Sequence, residues 1–122
     1  TAQNTGMILT IALNYGGQAE ILDAVKALAM EVKQGVLSVD EITQDSFEQR
    51  LTTAILPEAY RNPDFVIRTS GENRLSNFLP WQTAYSELYF TETLWPDFDE
   101  AALDLAFDVF SQRDRRYGGI KK

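Results

Sequence analysis

The run Met7-Ile8-Leu9-Thr10-Ile11-Ala12-Leu13-Asn14-Tyr15 is almost wholly apolar and closes on Gly16-Gly17. An apolar run without alternation predicts a strand buried on both faces, the kind that sits inside parallel sheets. Ile21, Leu22, Val25, Leu28, Ala29 and Val32 then recur at helical spacing, and Gly35 follows as a C-terminal stop. Strand, Gly-Gly turn and amphipathic helix make half of a βαβ unit, so an α/β layer fold is expected.

The rest of the chain continues that pattern. Ser38 with Glu41 matches a capping box, and Thr43 can cap a second short helix carrying Phe47, Leu51 and Ile55, which Pro57 ends. Asp64–Thr69 predicts a second strand and Glu87–Phe90 a third. Ser76 is expected to cap a helix running to Ala84, with Pro80 tolerated only in its first turn. A final helix places Leu103, Ala106, Phe107 and Phe110 on one face. Residues 1–122 read as a single domain with a mostly parallel sheet flanked by helices. Three strands are few, and the first lacks a polar face. Strands outside this chain, a homodimer, or both are expected to cover it. A chain that begins at Thr1 and enters a buried-looking strand at once reads as trimmed or as part of something longer.

Composition narrows the chemistry. There is no Cys and no His among the 122 residues. That removes disulfides, thiol nucleophiles, the usual structural zinc sites and any Ser-His-Asp or Cys-His machinery within the chain. Eleven basic residues against 18 acidic ones give a net charge of −7. Such a balance disfavours nucleic acid and electrostatic attachment to an anionic membrane. No apolar run approaches the ~20 residues needed to span a bilayer. The aromatic residues Trp81, Tyr85, Tyr89, Phe90, Trp95 and Phe98 are expected to serve core and interface packing rather than base stacking.

What remains is chemistry by carboxylates, guanidinium groups, hydroxyls, backbone N–H groups or a hard metal ion. Residues 68–76, Arg-Thr-Ser-Gly-Glu-Asn-Arg-Leu-Ser, follow a strand. In open α/β sheets ligands bind beyond the carboxyl ends of the strands, and the planar fork of Arg suits phosphate oxygens. Arg68 and Arg74 therefore read as the forks of a phosphate or diphosphate clamp, with Ser76 as its hydroxyl. In the competing reading Arg68 pairs with a carboxylate such as Glu72, Ser76 only caps a helix and Arg74 is solvated. Glu87 opens an apolar strand, where an unpaired carboxylate is costly. It reads either as a Mg²⁺ ligand or as half of an ion pair with an arginine. The segment Arg115-Arg116-Tyr117-Gly118-Gly119 can fold over a phosphate or end as a solvated terminus. Asn14-Tyr15-Gly16-Gly17 either lines a site or makes a tight turn.

In series these segments resemble the C-terminal half of the cis-prenyltransferases, the undecaprenyl diphosphate synthase family. The matching stretches are Asn14-Tyr15-Gly16-Gly17, Ile67-Arg68-Thr69-Ser70-Gly71-Glu72, Arg74-Leu75-Ser76-Asn77-Phe78-Leu79, Trp81-Gln82, Ala84-Tyr85-Ser86-Glu87-Leu88, Trp95-Pro96-Asp97-Phe98 and Arg115-Arg116-Tyr117-Gly118-Gly119. The resemblance implies an enzyme that condenses isopentenyl diphosphate with an allylic diphosphate, usually farnesyl diphosphate. The product would be a cis-polyprenyl diphosphate such as undecaprenyl diphosphate, a membrane lipid. It implies that Arg68, Arg74 and Ser76 hold the diphosphate of isopentenyl diphosphate and that Glu87 joins a Mg²⁺ site. Arg116 and Gly118 would form an Arg-x-Gly element reaching the partner subunit of a homodimer. It implies a cytoplasmic location, with membrane association left open. The family's phosphate loop, its essential Asp and its allylic site belong to an N-terminal half that is absent here, so no catalytic residue is assigned within this chain. The chain alone is expected to be inactive. Where bacterial members often carry Arg after the glycine pair, this chain has Gln18. Two other functions fit the same residues: a non-catalytic partner subunit of a heteromeric cis-prenyltransferase, and a general anion-binding α/β domain.

Overall fold

A computed structural model describes residues 3–113. Its longest element is helix α1, Gly17–Lys33, which ends as expected at Gly35. That glycine takes φ +70 and donates from its N–H to Val32 O at 3.1 Å, while Val36 N reaches Glu31 O at 2.9 Å. A left-handed residue after the last turn lets the orphan carbonyls find donors, and glycine has no Cβ to oppose it. The buried stripe of α1 is Gly17, Glu20, Ala24 and Leu28. It is not the whole apolar face read from the sequence, for Leu22 and Val25 are exposed.

Between residues 38 and 56 the caps at Ser38 and Thr43 form as expected, but the helix expected to carry Phe47, Leu51 and Ile55 to Pro57 stops at Glu48, and Ile55 lies in a separate 3₁₀ turn, 83% exposed. Ser38 N donates to Glu41 Oε2 at 2.8 Å. Helix α2, Gln44–Glu48, begins at Thr43, whose hydroxyl accepts from Ser46 N at 3.1 Å. Arg50 ties this region to α1 through a two-pronged pair with Glu31, Nε to Oε1 being 3.1 Å. Leu51 is buried, and a 3₁₀ turn, Thr52–Ile55, leads into Pro57.

Strands β1, Phe65–Arg68, and β2, Glu87–Phe90, pair in parallel with Phe65 opposite Glu87 and Arg68 opposite Phe90. Helix α3, Glu100–Ser111, is capped by Asp99, which accepts from Ala102 N at 3.0 Å. It packs on β2, its Ala106 is 0% exposed, and the Phe110 ring lies 4.7 Å from that of Phe65 in β1. Of the expected face, Phe107 is half exposed. The structure thus has the α/β character the sequence predicts.

Two expectations are corrected. Residues 7–15 form no strand. Met7, Ile8, Leu9, Ile11 and Leu13 are 53–86% exposed, because among the described residues no neighbouring strand takes up their backbone groups. Among the described residues the sheet therefore has two strands rather than three. Nor is there a helix from Ser76 to Ala84; the crossover from β1 to β2 is a succession of turns. Ser76, Asn77 and Leu79 take φ values of +49, +65 and +47, and Pro80 offers no N–H, so no helix starts at Ser76. The aromatic expectation holds for Tyr89, whose ring lies 6.2 Å from Phe65, but Tyr85 and Trp95 are exposed.

Candidate diphosphate site

Arg68 is the last residue of β1, at the carboxyl end of the sheet. The segments leaving the two strands are zipped together there. Thr91 N donates to Arg68 O at 3.0 Å, Gly71 N to Thr91 O at 2.9 Å and Ser70 N to Thr93 O at 2.9 Å. Ser70 and Gly71 both have positive φ, which sends the chain sharply back across the rim. A Cβ on Gly71 would lie 3.3 Å from Glu92 Oε2.

The crossover then returns Ser76 to the arginine. Arg68 Nη2 donates to Ser76 Oγ at 3.4 Å, a long bond at the limit of useful geometry. Arg68 Nε is buried with no hydrogen-bond partner. A buried donor without an acceptor is destabilising by about 1–3 kcal/mol, which an anion at this point would relieve. Arg74 stands differently. It forms an ion pair with Glu72 whose contact lacks hydrogen-bond geometry, and its side chain is 69% exposed. The carboxylate that the competing reading gave to Arg68 is therefore engaged by Arg74, and Ser76 caps no helix.

Glu87 lies away from this rim. It is opposite Phe65, three positions before the partner of Arg68, roughly 10 Å along the sheet. Its Oε2 accepts from Arg113 Nη1 at 2.7 Å, and the same nitrogen donates to Leu88 O at 3.0 Å. Among the described residues no group of three or more acidic side chains is gathered for a metal. By themselves these residues do not make a Mg²⁺ site: Glu87 offers one carboxylate, and that one holds a guanidinium. Arg116 and Gly118 lie outside the described residues.

Two features of this region were not read from the sequence. Asn77, next to Ser76, accepts from the first N–H groups of α1: Gly17 N reaches Asn77 O at 2.9 Å and Gln18 N reaches Asn77 Oδ1 at 2.8 Å. The Gly16-Gly17 pair thus makes close packing, since a Cβ on Gly17 would come within 2.0 Å of Pro80 Cδ. Beneath it, Glu20 is 8% exposed and gathers four donors. Tyr15 Oη is at 2.6 Å, Thr52 N at 2.7 Å and Gln82 Nε2 at 3.2 Å, with the Thr52 hydroxyl also close. Burial works to raise this carboxyl, but the hydroxyls of Thr52 and Tyr15, the Thr52 N–H and the Gln82 amide outweigh it, so its pKa is lowered. Burial, then the bond to Glu20 and its charge, push the Tyr15 phenol well above its ordinary range. The only sequence signals were Asn as a residue type that tolerates positive φ and an acid in the first turn of a helix.

The undecaprenyl diphosphate synthase model of the prenyltransferase family matches residues 1–118. An isoprenyl transferase of Streptococcus mutans is 58% identical over 120 residues, 98% of this chain and 48% of that protein. The isoprenyl transferase of Enterococcus faecalis is 52% identical over 122 residues, 100% of this chain and 45% of its own length. Among solved structures, lavandulyl diphosphate synthase from Lavandula x intermedia, in complex with dimethylallyl diphosphate, superposes with a TM-score of 0.84 at 42% identity. The match covers 88% of this chain and 45% of that one. A probable undecaprenyl diphosphate synthase from Campylobacter jejuni gives 0.69 at 33% identity, over 88% and 46% of the two chains. The chain spans about half the length of the curated relatives it matches. With its α/β layers, its arginine at the sheet rim and these relatives, the chain belongs to the undecaprenyl diphosphate synthase family of prenyltransferases.

Proposed function

We propose that this chain carries the isopentenyl diphosphate-binding part of a cis-prenyltransferase. The intact protein would condense isopentenyl diphosphate with an allylic diphosphate, such as farnesyl diphosphate, and release diphosphate. The observation that carries this reading is the pairing of Arg68 with Ser76 at the carboxyl end of the sheet, with one guanidinium N–H buried and unpartnered. An oxygen-rich dianion or trianion accepts from such donors, and charge-assisted bonds of this kind contribute about 1.5–3 kcal/mol each. Arg74, exposed on the same loop, would swing from Glu72 to a second phosphate oxygen. Retention of all three clamp residues favours a substrate-binding role over that of a non-catalytic subunit.

Mg²⁺ would neutralise diphosphate charge as the allylic carbon–oxygen bond breaks. Glu87 would contribute one ligand at most, after Arg113 releases it, with the others from substrate and from outside this chain. Arg116 and Gly118 would complete the site across a homodimer. The 122-residue chain alone is proposed to be inactive, since the relatives are about twice its length. No helix among the described residues is long and apolar enough to cross a membrane, and a cytoplasmic location is proposed.

Calorimetric titration of the intact protein with isopentenyl diphosphate tests the reading. Arg68→Ala should weaken binding about 10- to 100-fold, the equivalent of one or two lost charge-assisted bonds. Undiminished affinity in that variant, or equal affinity for sulfate and isopentenyl diphosphate in the wild type, would leave only a general anion-binding domain.

A further inference from the structure

We infer that Asn77 is a positioning residue for the diphosphate clamp: it latches the turn that carries Ser76 onto the start of α1. The inference rests on the function proposed above. Ser76 reaches Arg68 at 3.4 Å from a segment in which three non-glycine residues have positive φ. Such a segment does not hold itself, because each of these conformations is disfavoured for an L residue. Something outside the loop has to fix it.

The fixing bonds come from a helix terminus. The first N–H groups of α1 have no intrahelical acceptor, and its N-cap residue, Gly16, has no side chain with which to supply one. Asn77 supplies two acceptors from far along the chain, its carbonyl to Gly17 N at 2.9 Å and its Oδ1 to Gln18 N, 59 residues away, at 2.8 Å. The fit is close on every side. A Cβ on Gly16 would lie 3.3 Å from Asn77 Nδ2, and one on Gly17 would meet Pro80. The rings of Tyr15 and Phe78 pack edge to face with centroids 5.8 Å apart, closing the other flank. Downstream, Thr83 holds Leu79 O with both its N–H at 3.0 Å and its hydroxyl at 2.8 Å. Asn77 is thus the residue through which a rigid helix end sets the place of the hydroxyl beside it. The same bonds occupy the N–H groups of Gly17 and Gln18, so those donors serve the loop and not the ligand.

The test is a double-mutant cycle in the intact protein, read as the Kd for isopentenyl diphosphate. Asn77→Gly keeps the left-handed backbone and the carbonyl but removes Oδ1. It should weaken binding about five- to tenfold, the scale of a lost helix cap. In a Ser76→Ala background the same change should weaken binding less than about twofold, because Asn77 acts through Ser76. Gln18→Pro removes the donor from the helix side, at the second position of α1, and sets a ring carbon against Asn77 Oδ1, so it should weaken binding at least as much as Asn77→Gly. It stands in for Asn77→Gly should that protein not fold. Unchanged affinity in both variants, or an equal loss with and without the Ser76 hydroxyl, would overturn the positioning role. Wild-type protein that binds no isopentenyl diphosphate would overturn the functional reading instead, and this inference with it.

Discussion

Residues 7–13 and the strand pair β1–β2 are built from similar material, yet the structure treats them oppositely. Met7–Leu13 is the more apolar of the two, and it lies exposed without a ladder, beside an open groove of about 420 Å³ walled by Ile55, Leu56, Tyr60 and Phe78. Phe65–Arg68 carries a charge, Glu87–Phe90 carries another, and these two pair in register. The difference is a neighbour. An extended segment becomes a strand only when another backbone takes up its N–H and C=O groups, and apolar side chains cannot supply that. β1 has β2 beside it and α3 on its face. The first run has neither among the described residues.

The largest effects should separate these regions by stability. Leu51→Ala, at a site 4% exposed, should destabilise by about 2–5 kcal/mol in denaturant titration. Leu13→Ala, at a site 83% exposed, should change stability of the 122-residue chain by less than about 0.5 kcal/mol. The contrast breaks if both cost the same. It sharpens if hydrogen exchange at 7–13 is fast in the 122-residue chain and slow in the intact protein, which would show the run gaining a partner there.

Next in size is Glu20, which joins the two regions by holding Tyr15 at the end of the exposed run and Gln82 in the crossover. Glu20→Gln keeps an acceptor for Thr52 but turns an N–H₂ group toward donors, and should destabilise by about 1–3 kcal/mol. The sign of the pH dependence follows from a carboxyl whose folded pKa is lowered. Its contribution is fully present above the ordinary value of 4.5 and is lost as pH falls through the folded value. Wild-type stability should therefore fall more steeply than that of Glu20→Gln below pH 4.5. Parallel curves would mean the carboxyl is not held by its donors.

How much of this was legible follows the range of the interactions. Capping at Ser38 and Thr43 and the stop at Gly35 depend on neighbours within a few residues, and the sequence displays them; the segments around Ile67 and Leu88 show a strand pattern locally but form strands by pairing with each other. Arg68 and Ser76 could be placed on one rim because sheet topology fixes where strand ends lie. The cap of α1 by Asn77 could not, since it joins residues 59 apart and Gly16 shows only an absent side chain. The helix expected from Ser76 failed for the same reason. A local start signal was overridden by a loop that spends its acceptors on another helix. Glu87 reads the same in sequence whether it serves a metal or Arg113, and only the parallel register shows it at the far end of β2.

That register leads to a smaller effect. The Glu87–Arg113 pair is partly exposed, so Arg113→Ala should change stability by less than about 1 kcal/mol. In the intact protein it should also lower the Mg²⁺ concentration for half-maximal activity if Glu87 serves the metal. An unchanged requirement would confine Glu87 to its ion pair.

The smallest effect distinguishes Arg74 from Arg68 within the clamp. Arg68 is half-buried and donates to Ser76, whereas Arg74 is exposed and engaged by Glu72. An exposed pair of this kind is weak, so Glu72→Gln should leave stability almost unaltered. Its effect on ligand affinity runs the other way. Removing the carboxylate frees Arg74 and takes a negative charge away from the rim, so isopentenyl diphosphate should bind about two- to fivefold more tightly in calorimetry, with the gain shrinking as salt rises. The gain should also vanish in an Arg74→Ala background, where there is no guanidinium to release. A gain that survives there would come from the lost charge alone, and would leave Arg68 and Ser76 as the only fixed parts of the clamp.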